Sequence, residues 1–192
     1  RGYEEESRFK VNPDHVKFWE VFGSFWWAVG CLGMAEHYRS GPDKTVERPI
    51  IGRRSSECQI DCVNLLIPGP VEILEHEESI SSLDLPRSDE LLMSVRDFLR
   101  DSVMKKSEGR DKFLARVAAN SLDIVNRELA LAPRHLQGEL KRLREMFSSN
   151  QDLGVLRERL VKSLRDRTLS LENEDLRVHL RTTVVNQTGI DQ

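Results

Sequence analysis

The chain has 192 residues, enough for one domain with a sizeable core or for two small ones. Hydrophobic residues at 39% beside charged residues at 32% describe a folded, helix-rich protein and exclude a disordered one. A net charge of -3 leaves no electrostatic footprint for nucleic acid or an anionic membrane, so neither is expected as a partner. That charge divides unevenly, net -6 over residues 1–86 and net +3 over residues 87–192, which suggests two units facing each other. Cys31, Cys58 and Cys62 are too few for a disulfide framework, and a reducing cytoplasm is the expected compartment.

The first strong element is the run "WEVFGSFWWAVGCLG", residues 19–33, which holds all three tryptophans. Asn12-Pro13-Asp14 supplies a helix start and Ser40-Gly41-Pro42 a stop. Fifteen residues without charge, between Glu20 and Glu36, fall short of the ~20 that a membrane span needs. The run begins well inside the chain without a basic start or a cleavage site, so it is not a signal peptide either. A helix apolar on most of its circumference belongs in the core of a folded protein. Trp19, Gly23, Trp26, Trp27, Gly30 and Gly33 alternate large rings with gaps that permit close approach of another backbone. These six residues are the candidate interface for a homo-oligomer; a ligand-stacking role for Trp26 or Trp27 is the alternative to packing.

The stretches "VNPDHVKFWEVFGSFWWAVGCLGMAEHYRSG" and "ERPIIGRRSSECQIDCVNLL" resemble the last helices of the C-lobe of aminoglycoside phosphotransferase-like kinases, in the branch associated with acyl-CoA dehydrogenases. The resemblance covers roughly residues 1–66 and implies a C-lobe tail whose catalytic parts precede it. Phosphoryl transfer needs a positioned base, magnesium ligands and a lysine on the phosphates. None can be placed here: the residues two beyond the five histidines are Lys17, Arg39, Glu78, Gln137 and Arg181, so no catalytic His-x-Asp loop exists. "GPDKT" mimics a phosphate loop but has Asp43 where glycine is required. The expectation is a non-enzyme without cofactor, with a kinase lobe or an acyl-CoA dehydrogenase as partner. The implied parent phosphorylates a hydroxyl of a small molecule or an acyl-CoA.

Residues 67–86, "IPGPVEILEHEESISSLDLP", read as an acidic, proline-containing linker. Within it Glu75-His76-Glu77-Glu78 is solvated charge rather than a metal cluster, because adjacent side chains diverge and no second ligand pair is suitably spaced. Cys58 and Cys62, four apart, share a helical face and read as ordinary burial, so no metal site is expected.

From residue 87 the pattern is repetitively helical. Helices are predicted near 88–109 with Leu91, Leu92, Val95, Phe98, Leu99 and Val103 inward, and over 110–131 with Phe113, Leu114, Val117, Leu122, Ile124, Val125 and Leu129 inward, limited by Pro133. Three more follow near 135–147, 152–167 and after Asn173, carrying leucine stripes. Short polar connections and the near absence of strand signals predict an all-α helical bundle over 87–192. "FLARVAANSLDIVNRELAL" and "LRVHLRTTVVNQ" resemble a helical domain family of unknown function that accompanies those phosphotransferases, although "NQTGIDQ" departs from its expected ending. That resemblance implies no activity.

Arg116, Asn120, Asp123 and Arg127 are spaced four, three and four apart, making a polar ladder on one helix. Two forked guanidinium groups around an Asn and an Asp are equipped to grip an anion or a partner. The competing reading is a salt-bridged face against a neighbouring helix. Arg157, Arg159, Arg165 and Arg167 interleave with Glu158 and Asp166 and read as a solvated face.

Overall fold

The computed structural model describes residues 2–71 and 86–192. The order is α1 (Gly2–Ser7), α2 (Pro13–Ser40), α3 (Glu47–Arg53), α4 (Ser55–Leu66), α5 (Ser88–Phe98), a π turn (Leu99–Val103), α6 (Met104–Lys106), α7 (Gly109–Phe147), α8 (Leu153–Arg165) and α9 (Glu174–Asp191). No strand occurs among the described residues, and the protein is an all-α bundle. The Glu75–Glu78 cluster and most of the expected linker lie outside the described residues.

Helix α2 starts and stops where its sequence signals fall. The Asn12 side chain accepts the Asp14 backbone N–H at 2.9 Å, Pro13 takes the first turn, and Lys44 donates to the Tyr38 and Arg39 carbonyls at the far end, 2.6 and 3.0 Å away. The lysine of "GPDKT" therefore caps a helix C-terminus. Helix α2 packs on α3 and α4 through its small residues: Ala28 and Cys31 are buried, and a Cβ at Gly52 of α3 would lie 2.6 Å from that of Ala35. The close approach falls at Gly52, whereas Gly23 and Gly33 face open space and Gly30 meets only the Trp27 ring.

Within this chain the aromatic run is surface rather than core. Phe18, Trp19, Phe22, Phe25 and Trp26 are 46–64% exposed, Val29 and Leu32 lie open beside them, and Trp27 is 42% exposed. The aromatic residues are on the surface because α3 and α4 present backbone and small side chains, which fit the Ala28–Cys31–Ala35 side of α2 more closely.

The two helices expected at 110–131 and 135–147 are one. Helix α7 runs through Pro133, which sits on the exposed side with Leu129, so the Leu129 carbonyl released by the missing proline N–H has access to water. Its N-terminal half packs on α5 and α3, its C-terminal half on α8 and α9. Of the apolar positions expected inside, Ile124 is buried, but Phe113, Val125 and Leu129 are exposed, as are Leu91, Val95 and Phe98 of α5; Ala115 and Ala119 make the close contact instead.

The leucine stripes of the last three helices do meet. Leu143, Leu156, Leu160 and Leu176 are the buried centre, with Leu140, Phe147, Leu153, Leu164 and Leu180 around them. Asn173 caps α9 by accepting the Leu176 N–H at 2.8 Å. The arginine-rich α8 uses Arg157 against Glu139 and lays Arg159 over the Phe147 ring, 4.5 Å from its centre.

His179 of α9 is 2% exposed beside this core. Burial, with Arg142 and Arg157 outweighing the opposing effect of Glu139, lowers its pKa from 6.5 to about 4. The folded protein thus binds this proton less readily than the unfolded chain, and the resulting stabilisation, complete above pH 6.5, is lost as pH falls through about 4. Denaturant titrations between pH 7 and pH 4 should show a loss of about 3 kcal/mol attributable to this group. His179→Leu should remove that part of the pH dependence, and an unaltered profile would refute the assignment.

Candidate functional site

The two halves of the chain are joined by a seam of polar contacts in which α3 lies on α7 and α4 on α9. Arg53, at the end of α3, reaches Glu128 of α7 and Asp191 of α9, each at 2.7 Å. The Arg53 Nε–H does not point at the Asp191 oxygen, so that contact is an ion pair rather than a hydrogen bond. Arg110 pairs with Glu47 at 2.8 Å, Arg181 donates to Asn64 at 3.1 Å, and Gln192 donates to Glu57 at 2.7 Å. The acidic and basic halves thus face each other, but with cations contributed from both sides.

A cleft of about 400 Å³ opens along this seam. Arg53, Arg54 and Glu57 form one wall, Asn120, Asp123 and Arg127 of α7 the other, with Arg100 and Asp191 at its margins. Three of the four ladder residues therefore share one cavity, while Arg116 is exposed and stands outside it. Their partners are already supplied. Asp123 accepts from Arg100 and, at 3.2 Å, from Arg96; Asn120 accepts from Arg100 at 3.5 Å; Arg127 Nε donates to the Ile190 carbonyl at 2.7 Å. Arg54 is forked onto Glu57, which raises the arginine pKa and lowers that of the glutamate, largely through their hydrogen bonds.

The cleft is therefore lined with arginines that hold structure. Arg96 and Arg100 were outside the sequence reading; their spacing of four, across α5 and the π turn that continues it, was the available signal. Among the described residues no group of three or more His, Cys, Asp or Glu side chains is placed to hold a metal ion. Cys58 is buried with its thiol near Cys31 of α2, while Cys62 directs its sulfur to the Val21 carbonyl at 3.7 Å. Burial is the largest influence on all three thiols and raises their pKa, which disfavours the thiolate.

The other surface that stands out is the aromatic side of α2. Phe18, Trp19 and Phe22 contact one another edge-on and stacked, with ring centres 5.2–6.2 Å apart. The predicted interface residues Trp19, Gly23, Trp26 and Gly33 are all exposed, Gly30 is partly covered, and Trp27 lies over it. Five aromatic residues this open leave on the order of 500 Å² of aromatic surface in water. No helix among the described residues is long and apolar enough to cross a membrane.

A family model described as Domain of unknown function (DUF6285) matches residues 105–192, the part from α6 to the C-terminal end of α9. No curated protein and no solved structure matches the chain. The matched region contains the leucine core and one wall of the cleft, and its description carries no activity.

The geometry separates the ladder into unequal members. Asp123→Ala should leave Arg96 and Arg100 without their shared carboxylate and cost about 2 kcal/mol, whereas Arg116→Ala should stay within about 0.5 kcal/mol of the unmodified protein. Urea midpoints test this, and equal effects would show that the ladder acts as a unit.

Proposed function

We propose that the chain is a non-catalytic accessory region of a phosphotransferase-like protein of the cytoplasm, and that it assembles with a second copy of itself through the aromatic side of α2. The observation that carries this reading is the exposure of Phe18, Trp19, Phe22, Phe25 and Trp26 on one helix. Covering about 500 Å² on each copy at about 25 cal/mol per Å² favours association by roughly 12 kcal/mol per copy before the cost of ordering two partners. The uncharged run from Val21 to Ala35 puts no ion at the centre of such a contact, and Gly23 and Gly33 admit a facing ring or backbone. A self-complementary surface of this kind is the usual basis of a two-fold dimer.

The phosphotransferase part of the proposal rests on the resemblance of residues 1–66 to the end of a kinase C-lobe. Nothing in the cleft requires a nucleotide, since its arginines are engaged with carboxylates or carbonyls. A second reading, a free-standing helical interaction module, is favoured by a different observation. Helices α3 and α4 are tied to α7 and α9 by Arg53, Arg110 and Arg181, so the N-terminal helices pack as part of the bundle.

Two measurements test the proposal. Sedimentation of the unmodified chain should show a dimer or larger species that Trp26→Glu converts to monomer or aggregate, with Arg116→Ala unchanged; a well-behaved monomer would refute assembly through α2. Calorimetric titration with ATP and magnesium should show no binding, and micromolar magnesium-dependent affinity would overturn the non-catalytic assignment.

A further inference from the structure

Where α7, α8 and α9 meet, the apolar core gives way to a cavity of about 80 Å³ with charged and polar groups in its wall, well above the ~10–15 Å³ that one water needs. Its walls include His135, Glu139 and Arg142 of α7, Arg157 of α8, and Thr183 and Asn186 of α9. Glu139 is 6% exposed, and its hydrogen bonds go to Arg157, which donates to its two carboxylate oxygens at 2.7 and 2.6 Å. Arg142, one turn further along α7, forms no ion pair among the described residues. Its one hydrogen bond runs to the Thr183 hydroxyl at 3.2 Å, and its Nε is buried without a partner. His135 Nδ1 is likewise buried and unpartnered.

The lining therefore carries two guanidinium groups and one carboxylate, with the carboxylate committed to Arg157. Arg142 is partly buried, and a guanidinium drawn part-way out of water without a hydrogen-bonded anion is costly. Water in the cavity would leave the Arg142 charge opposed only by Glu139, whose carboxylate acts on it from a distance while its hydrogen bonds go to Arg157. We propose that this cavity binds a small oxyanion, a carboxylate or phosphate group, held by the Arg142 guanidinium with His135 and Thr183 beside it. The contrast with the larger cleft is what selects this place: there each arginine already has an anionic or carbonyl partner, and here a forked donor set has none. The proposal does not depend on how α2 is covered.

The environment of His135 supplies an independent readout. Burial, followed by Arg134 and Arg142, holds its pKa below the ordinary value, so the imidazole is neutral near pH 7. An anion seated against Arg142 would offset that repulsion and move the His135 pKa upward.

The full chain should be titrated at pH 7 with sodium phosphate and with sodium acetate, each against sodium chloride at matched ionic strength, following thermal unfolding and the His135 ring signals by NMR. Saturable stabilisation by phosphate alone assigns a phosphate group, and by acetate a carboxylate; the His135 pKa should rise by about half a unit or more in the bound state. Arg142→Gln should weaken binding at least about tenfold, the loss of one charged partner, while Arg116→Gln retains it. Should Arg142→Gln fail to fold, His135→Phe and Thr183→Val replace it, each expected to weaken binding at least about threefold. Equal stabilisation by chloride, no saturable effect of either oxyanion, or unchanged binding in these variants would overturn the proposal.

Discussion

The arrangement of the molecule depends on the Arg53 guanidinium. Helix α2 packs on α3 and α4, so its position relative to the bundle is set by how those two helices sit on α7 and α9. Arg53 fixes that seat by engaging Glu128 on one helix and Asp191 on the other. Asp191 is 9% exposed, so its charge is withdrawn from water and needs this cation. Such a buried pair adds little net stability over an apolar contact, because desolvation offsets most of the attraction. What it contributes is register: one arrangement of α3 against the end of α9 brings a cation to the carboxylate, and a slip along the seam leaves it only the Gln187 amide of its own helix, 2.9 Å away.

Helix α9 is the element both constraints share. One side carries Leu176, His179, Thr183, Asn186 and Ile190 at helical spacing toward α7 and α8, and Thr188 and Arg181 reach the Ser56 carbonyl and Asn64 of α4. The polar residues on its buried side explain why the leucine core stops where it does. Leu176 is the last fully buried leucine of the cluster, and beyond it His179, Thr183 and Asn186 bring polar groups to the side facing α7 before Ile190 returns to apolar contact. Electrostatics therefore governs the end of the bundle nearest the N-terminal helices, and apolar packing governs the other end.

Much of this was legible in the sequence, and the failures have physical causes. The Asn12 and Asn173 caps and the leucine stripes of 140–164 depend on local chemistry and short-range periodicity, and they lie where the pattern puts them. Pro133 was taken as a break because proline removes a hydrogen bond, but a long helix tolerates that loss on its wet side. The tryptophan run was taken for core because hydrophobicity measures a residue's preference and not the shape of its neighbours. Ala28, Cys31 and Ala35 won the contact through fit to Gly52. Spacing placed Asn120, Asp123 and Arg127 on one face but could not name Arg96 and Arg100 as their partners, since pairing across helices is a tertiary fact. Glu139 gave a readable signal that was missed: a carboxylate three residues after Leu136 and four before Leu143 sits on an apolar stripe, where it needs a buried partner.

The surface of α2 and the polar cavity make opposite demands on the fold. An exposed aromatic side gains free energy wherever a matching apolar surface appears, so it tolerates variation in its partner and binds through area. The cavity is small and its donors point in fixed directions, so it discriminates by geometry and charge and gains little from apolar area. A scaffold that offers both must keep them from interfering, and the long α7 does so by distance: its N-terminal half meets α3 and α5, and the cavity lies beyond Pro133 on the half that meets α8 and α9. Helix α4, resting on α9 and carrying α2, is one physical path between the two, and a displacement of α9 would reach α2 by that route. A second position of α9 would require the ion pair of Asp191 with Arg53 to break, so that contact holds α2 and the cavity in their present relation.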